Sequence, residues 1–322
     1  LRLRCGLFLL AVAVAAFVCR FYAPSWRHQV EIRPVGEQIR LYRHATGRVE
    51  ILPLEEYVVG VVAAEMPAAF PLEALKAQAV AARTYALRRI LGGGVANRLH
   101  PEADLCDDPR HGQAYLDREE LKQRWGPLGY YRYYYRVRRA VEETEGLVLT
   151  YQGQLIEPVY HASCGGRTES AGEIWQVDLP YLRSVPCPYD AYPERVSERS
   201  FAITAVERAL FPEGVVIPAA AGGGKLFTME LARVTATGRP KEVGINGVTF
   251  RATEVRERLG LKSSRFTWRV EGDRLCFTTI GYGHGVGLCQ YGAKGMAEHG
   301  YNFRQILTHY YSGVKVTKYP GV

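Results

Sequence analysis

Over residues 54–90, apolar residues recur at helical spacing with one break, at Pro67, and this pattern restricts the fold more than any other feature. Val58, Val59, Val61 and Val62 give a helix over about 54–65 a broad buried face, and Pro67 stops it. Pro71 fits the first turn of a second helix, where Leu72, Leu75, Ala79, Ala82, Ala86, Leu87 and Ile90 keep helical spacing until Gly92-Gly93-Gly94 ends it.

Shorter elements surround this pair. Alternating residues over 38–42 and 48–52, around Ala45-Thr46-Gly47, predict an opening hairpin. A polar loop over about 96–117 leads into tyrosine-rich helical segments that end near Glu145, with Gly146 as a C-terminal stop. Residues 147–151 and 155–160 flank Gln152-Gly153 as a second hairpin. Beyond Asp190, residues 195–211 read as a helix and 219–224 as a flexible Gly/Ala turn, with short strands and a helix to about 262. A strand over 275–282, a glycine loop at 281–287 and two helices over about 290–311 return to the main fold. No internal repeat is visible. The expected class is α+β, with mixed helices and short antiparallel strands: a main domain from 38–191 and 270–322, and an inserted subdomain at 192–269.

At the amino end, Arg2 and Arg4 precede an uncharged run over 5–19 that Arg20, Phe21 and Tyr22 close, which is the pattern of a membrane-targeting segment. Cleavage after Ala13-Val14-Ala15 would leave apolar residues on the mature chain, so an uncleaved anchor at 1–22 is the preferred reading, with a tether at 23–37. The rest would then lie outside the cytoplasm, on a single-pass anchor at the cell membrane.

A chain of 322 residues, 47% hydrophobic and 23% charged, is neither disordered nor collagenous. Its net charge of +8 suits an anionic partner such as nucleic acid, a membrane face or an acidic cell wall. The run Tyr130-Tyr131-Arg132-Tyr133-Tyr134-Tyr135-Arg136 has the makings of a nucleic-acid surface, but an exported location argues against nucleic acid, and the default is a tyrosine-covered helix face. Of seven cysteines, five lie beyond the anchor, an odd number that leaves at least one thiol free, metal-bound or paired between chains. Cys164 and Cys187 bracket a short segment and can form a disulfide in an exported protein, although spacing does not fix the pairing.

Glu65 closes the first helix, where the negative end of the helix dipole and apolar neighbours both disfavour the carboxylate. A carboxyl with a raised pKa suits a general acid; an ordinary solvated glutamate is the plainer alternative. Leu52-Pro53-Leu54-Glu55-Glu56-Tyr57-Val58, Ala64-Glu65-Met66-Pro67, Lys76-Ala77-Gln78-Ala79 and Ala82-Arg83-Thr84-Tyr85-Ala86 resemble the signature of the stage II sporulation protein D family. Further blocks follow in the family's order: Tyr160-His161-Ala162-Ser163-Cys164-Gly165-Gly166-Arg167-Thr168-Glu169, then Pro180-Tyr181-Leu182-Arg183-Ser184-Val185, then the segment from Gly283-His284-Gly285 through Cys289-Gln290-Tyr291-Gly292-Ala293. The likeness covers roughly residues 48–316.

The resemblance implies a membrane-anchored lytic transglycosylase that cuts peptidoglycan glycan strands, preferring those stripped of stem peptides, during engulfment of a forespore in sporulation. Glu65 would be its acid/base, and no second carboxylate is needed when the muramyl 6-hydroxyl is the nucleophile. Arg83 resembles the family's cleft arginine; Tyr181 and Arg183 match a Tyr-x-Lys element, with arginine here in place of lysine. His284, Gln290 and Tyr291 follow the glycine loop and either reach a sugar or pack a tight turn. His100, Cys106 and His111 resemble a zinc-bearing loop of some members, but Gly112 stands where a fourth ligand, a cysteine, follows the second histidine. No cofactor is required, and structural zinc stays open. The implied partners are glycan strands, a companion amidase and endopeptidase, and a multispanning membrane protein. Two competing readings are a non-catalytic wall-binding modifier that stimulates an amidase, and a zinc amidase.

Overall fold

The computed structural model describes residues 38–92, 100–108, 110, 112–175, 177–211 and 227–320. The expected anchor at 1–22, the tether at 23–37 and the Gly/Ala turn at 219–224 lie outside them. Among the described residues no helix is long and apolar enough to cross a membrane.

Strands β1 (Gln38–Arg43) and β2 (Arg48–Pro53) form the opening hairpin, with Gln38 opposite Pro53 and Arg43 opposite Arg48. The chain then enters α1 (Leu54–Glu65) and α2 (Leu72–Leu91) at the positions that the two prolines predict. Tyr57, Val58, Val61 and Val62 are wholly buried on α1, as are Ala74, Leu75, Ala77, Ala79, Val80, Ala81 and Ala82 on α2. The small alanine side chains let neighbours approach α2 from several sides, which makes it the central element of this body. The polar loop that follows holds a short strand, β3 (Leu105–Cys106), which adds to β1 in parallel.

Helix α3 (Arg118–Glu142) opens on a capping box in which Asp117 accepts from the Glu120 N–H, and it kinks at Gly126 before Pro127. It packs on both α1 and α2. Tyr130 and Tyr134 are buried while Tyr131 and Tyr135 stay exposed, so the tyrosine run does line a helix. In the second hairpin β4 (Leu147–Tyr151) turns through Gln152-Gly153, but its partner β5 (Gln154–Leu155) is only two residues long. The expected arm over 155–160 breaks because β6 (Tyr160–His161) pairs elsewhere. Helix α4 (Ala171–Ile174) follows.

Residues 195–211 are not one helix. Strand β7 (Val196–Ala202) precedes α5 (Ile203–Leu210). The sequence Val196-Ser197-Glu198-Arg199-Ser200-Phe201-Ala202 carries strand chemistry: Ser197 bonds Thr279 across the ladder at 2.7 Å, and Glu198 accepts from Thr278 at 3.1 Å. Strands β8 (Met229–Val234), β9 (Pro240–Ile245) and β10 (Val248–Arg251) form one antiparallel sheet in the order β10-β9-β8, followed by α6 (Ala252–Leu259). Strands β11 (Phe266–Glu271) and β12 (Arg274–Ile280) complete a second sheet in the order β11-β12-β7. Val206, Val243, Ile245, Val255, Leu275 and Phe277 share one apolar cluster, so β12 sits in the core built by the 192–269 segment.

The chain then passes through the glycine loop into β13 (Leu288–Cys289), α7 (Gln290–Glu298), α8 (Phe303–Tyr310) and β14 (Lys315–Lys318). Strand β13 runs parallel to β6, and β14 pairs antiparallel with β4. Helices α7 and α8 both pack on α2. Mixed helices and short, mainly antiparallel strands make the class α+β.

Candidate active site

Glu65 is the last residue of α1, and its side chain is half-buried. A strip at 113–116 lies along α1 and shapes its surroundings. The Leu116 N–H donates to the Gly60 carbonyl at 3.4 Å, the Tyr57 hydroxyl donates to Gln113 Oε1 at 3.3 Å, and Tyr115 stacks on Tyr57 with ring centroids 5.7 Å apart. The strip comes this close because position 60 is glycine. A Cβ there would meet the Tyr115 ring at 2.3 Å and the Leu116 carbonyl oxygen at 2.7 Å.

The strip thereby aims the Ala114 N–H at the Glu65 carboxyl, with Oε1 accepting at 2.8 Å. The Tyr160 hydroxyl also hydrogen-bonds to Glu65 and itself accepts from Gln113 Nε2 at 2.8 Å. Burial pushes the Glu65 pKa above its usual 4.5, and the two donors, which favour the carboxylate, pull it partly back. Burial also raises the Tyr57 and Tyr160 hydroxyls well above 10, so both remain proton donors. Among the described residues, the groups that set the proton affinity of Glu65 include no second carboxylate. Arg124, exposed on α3, donates from Nη1 to the carbonyls of Ala63 and Ala64 at 3.2 and 3.4 Å, which places a cation at the C-terminus of α1 beside Glu65.

His284 connects to this group through Tyr160, whose carbonyl lies 2.9 Å from His284 Nε2. Since the Val286 N–H donates to His284 Nδ1 at 3.1 Å, Nε2 carries the ring proton. Burial pushes the His284 pKa down to about 4, so the ring is neutral. Behind it His161 donates from Nδ1 to the Val286 carbonyl at 3.0 Å, its ring 5.3 Å from that of His284. Tyr291 meets Phe70 edge-on at 5.0 Å and Tyr192 at 4.8 Å, alongside the segment that follows Glu65.

Other residues singled out from sequence stand elsewhere. Arg83 is fully buried, and every nitrogen of its guanidinium is bonded: Nε and Nη2 donate to Glu55 at 2.7 and 2.6 Å, with further bonds to the Leu147 and Val141 carbonyls. It braces the start of α1 against α3 and β4 and does not face a cleft. Gln290 is also internal, donating to Gln78 Oε1 at 3.2 Å. The Tyr181 hydroxyl accepts from the Glu157 N–H at 3.0 Å, and Arg183 forms an exposed ion pair with Asp178 at 2.5 Å; neither contact involves Glu65. In the polar loop His100 stacks on Tyr42 with centroids 3.5 Å apart, and Cys106 Sγ accepts from the Asp108 N–H at 3.4 Å. His111 lies outside the described residues. Cys164 and Cys187 are both free thiols. Sequence reading missed Tyr160, Gln113 and Arg124; of these only Tyr160 carried a signal, as the first residue of a family-like block.

A family model described as SpoIID, Stage II sporulation protein, matches residues 42–151. The stage II sporulation protein D of Bacillus subtilis (strain 168) is 39% identical over 281 residues, covering 87% of this chain and 79% of that protein. Its counterpart in Bacillus amyloliquefaciens is 37% identical over 281 residues, covering 87% and 78%. An amidase enhancer of Bacillus subtilis (strain 168) is 28% identical over 308 residues, covering 81% of this chain and 40% of that protein.

Proposed function

Because the chain belongs to the stage II sporulation protein D family, we propose that it acts on the cell wall in sporulation as a lytic transglycosylase, with Glu65 as the acid/base. The observation that carries this reading is a half-buried carboxyl with a raised pKa and, among the described residues, no carboxylate partner. Hydrolytic glycosidases use two carboxyl groups to manage acid, base and nucleophile. A single one suffices when the nucleophile belongs to the substrate.

In this scheme Glu65 gives its proton to the oxygen bridging N-acetylmuramic acid and N-acetylglucosamine as the bond from C1 to that oxygen breaks. The resulting carboxylate, steadied by the Ala114 N–H and the Tyr160 hydroxyl, then takes the proton of the muramyl 6-hydroxyl while O6 bonds to C1. The products are a 4-hydroxyl and a 1,6-anhydro end. Glu65 recovers its proton, and no water is consumed. Arg124 replaces Arg83 as the cation placed to hold an anionic or acetamido group of the strand. Tethering by residues 1–22 outside the cytoplasm belongs to the same reading, as does work beside an amidase, an endopeptidase and a multispanning membrane protein.

Glu65→Gln tests the role directly. Cleavage of purified denuded strands is expected to fall by about two to four orders of magnitude, with strand binding retained. Unchanged cleavage would remove Glu65 from the mechanism. Likeness to the amidase enhancer favours a second reading, a wall-binding modifier that stimulates an amidase. That reading predicts no cleavage by the wild-type chain and full amidase stimulation by Glu65→Gln.

A further inference from the structure

Three cysteines far apart in sequence meet beside β6 and β13. Cys164 lies just beyond β6, Cys187 lies after the Tyr181 segment, and Cys289 ends β13 at the N-cap of α7. With Asp190 they are buried, and their four donor atoms lie within 4.8 Å of one another. The three cysteines are free thiols. Any one disulfide among them would leave the third thiol stranded, so pairing does not account for the cluster.

We propose that Cys164, Cys187, Cys289 and Asp190 form a closed tetrahedral site for one zinc(II) ion. Three sulfurs and one carboxylate oxygen supply the donor number and softness that zinc takes in structural sites. Metal–sulfur bonds of ~2.3 Å require sulfurs ~3.8 Å apart, so the cluster needs to contract by about an ångström at most. Binding displaces the thiol protons to solvent, and no electron is transferred.

The surroundings are arranged for ligands. Asp190 Oδ2 accepts from Ser163 Oγ at 2.8 Å, from the Gly165 N–H at 2.7 Å and from the Cys164 thiol at 3.4 Å, whereas Oδ1 is buried without a partner. Cys289 Sγ accepts from the N–H groups of Cys164 and Gly292, each at 3.4 Å, the kind of outer contact that orients a thiolate. Four anionic ligands on a dication leave a net negative site. The buried Arg239 guanidinium, which donates to the Cys164 carbonyl at 2.9 Å, stands next to it as partial compensation. With all four ligands buried, no coordination position opens to solvent, which fits a structural ion and not a catalytic one. The ion would staple β6, the 187–190 segment and the start of α7, and so fix both ends of the glycine loop that carries His284.

The test is metal analysis by inductively coupled plasma mass spectrometry on the full chain, purified from zinc-replete culture under reducing conditions. About one zinc per chain is expected. Cys187→Ser and Cys289→Ser should lose it, while Cys106→Ser and Cys276→Ser keep it; the Cys106 arm separates this site from the His100, Cys106 and His111 loop. If the cluster variants do not fold, cobalt(II) titration of the metal-free wild-type chain replaces them, with thiolate-to-cobalt charge-transfer absorption and tetrahedral d–d bands expected. Absence of stoichiometric metal and of these bands in the reduced chain would overturn the site. So would loss of zinc on Cys106→Ser with retention on Cys187→Ser, or iron and sulfide in place of zinc.

Discussion

A glutamate keeps its proton to higher pH only if its surroundings make the carboxylate uncomfortable, and at Glu65 burial does so against two opposing donors. One of these, Tyr160, can be removed without touching the carboxyl. A general acid is active while protonated, so the rate falls as pH rises through the Glu65 pKa. Tyr160→Phe deletes a donor that lowers this pKa, and the falling limb of kcat/KM should therefore move to higher pH; an unmoved limb, or one moved lower, would contradict the assignment. Arg83 makes the opposite case. Losing one partner of a buried ion pair typically costs ~3–5 kcal/mol, discounted here to about 3 because Glu55 keeps some access to water. Arg83→Met should lower the unfolding midpoint by roughly 6–12 °C, with kcat/KM of the folded protein little changed. A raised KM at unchanged midpoint would return Arg83 to the groove.

At the scale of elements, the legible parts were those whose signals are local. Prolines, apolar spacing and alanine content all agree over α1 and α2, so both ends were readable. Strand β7 was misread because its seven residues run directly into the amphipathic α5, and its pairing partner β12 lies more than 70 positions away. The same distance effect hid most of the site. Glu65 could be read from its place at a helix end, but the partners that tune it arrive from a strip 49 positions on and from β6. Arg83 misled because a guanidinium in alanine-rich surroundings fits a groove wall and a core strut equally well. The glycine loop gives a test at this scale. Gly287 has φ +71°, and a Cβ there would meet the Val159 carbonyl oxygen at 2.2 Å. Gly287→Ala must therefore shift the loop against β6, lowering the unfolding midpoint and cleavage together. Wild-type values for both would contradict the close approach.

Across the whole molecule, two groupings serve separate ends. The helical body built on α2 positions Glu65, while the 192–269 segment and β12 build an apolar cluster of their own. The net charge of +8 suits an anionic wall polymer, and salt should weaken strand binding more than it slows cleavage of bound strands. The proposed cleavage rests on one carboxyl serving first as acid and then as base, with the substrate supplying the nucleophile. Mass spectrometry of purified denuded glycan strands after incubation with the chain tests that claim most directly. New ends lighter by one water than reducing muramyl ends are expected, formed by the wild type and not by Glu65→Gln. Reducing ends, or intact strands with the wild type, would contradict it.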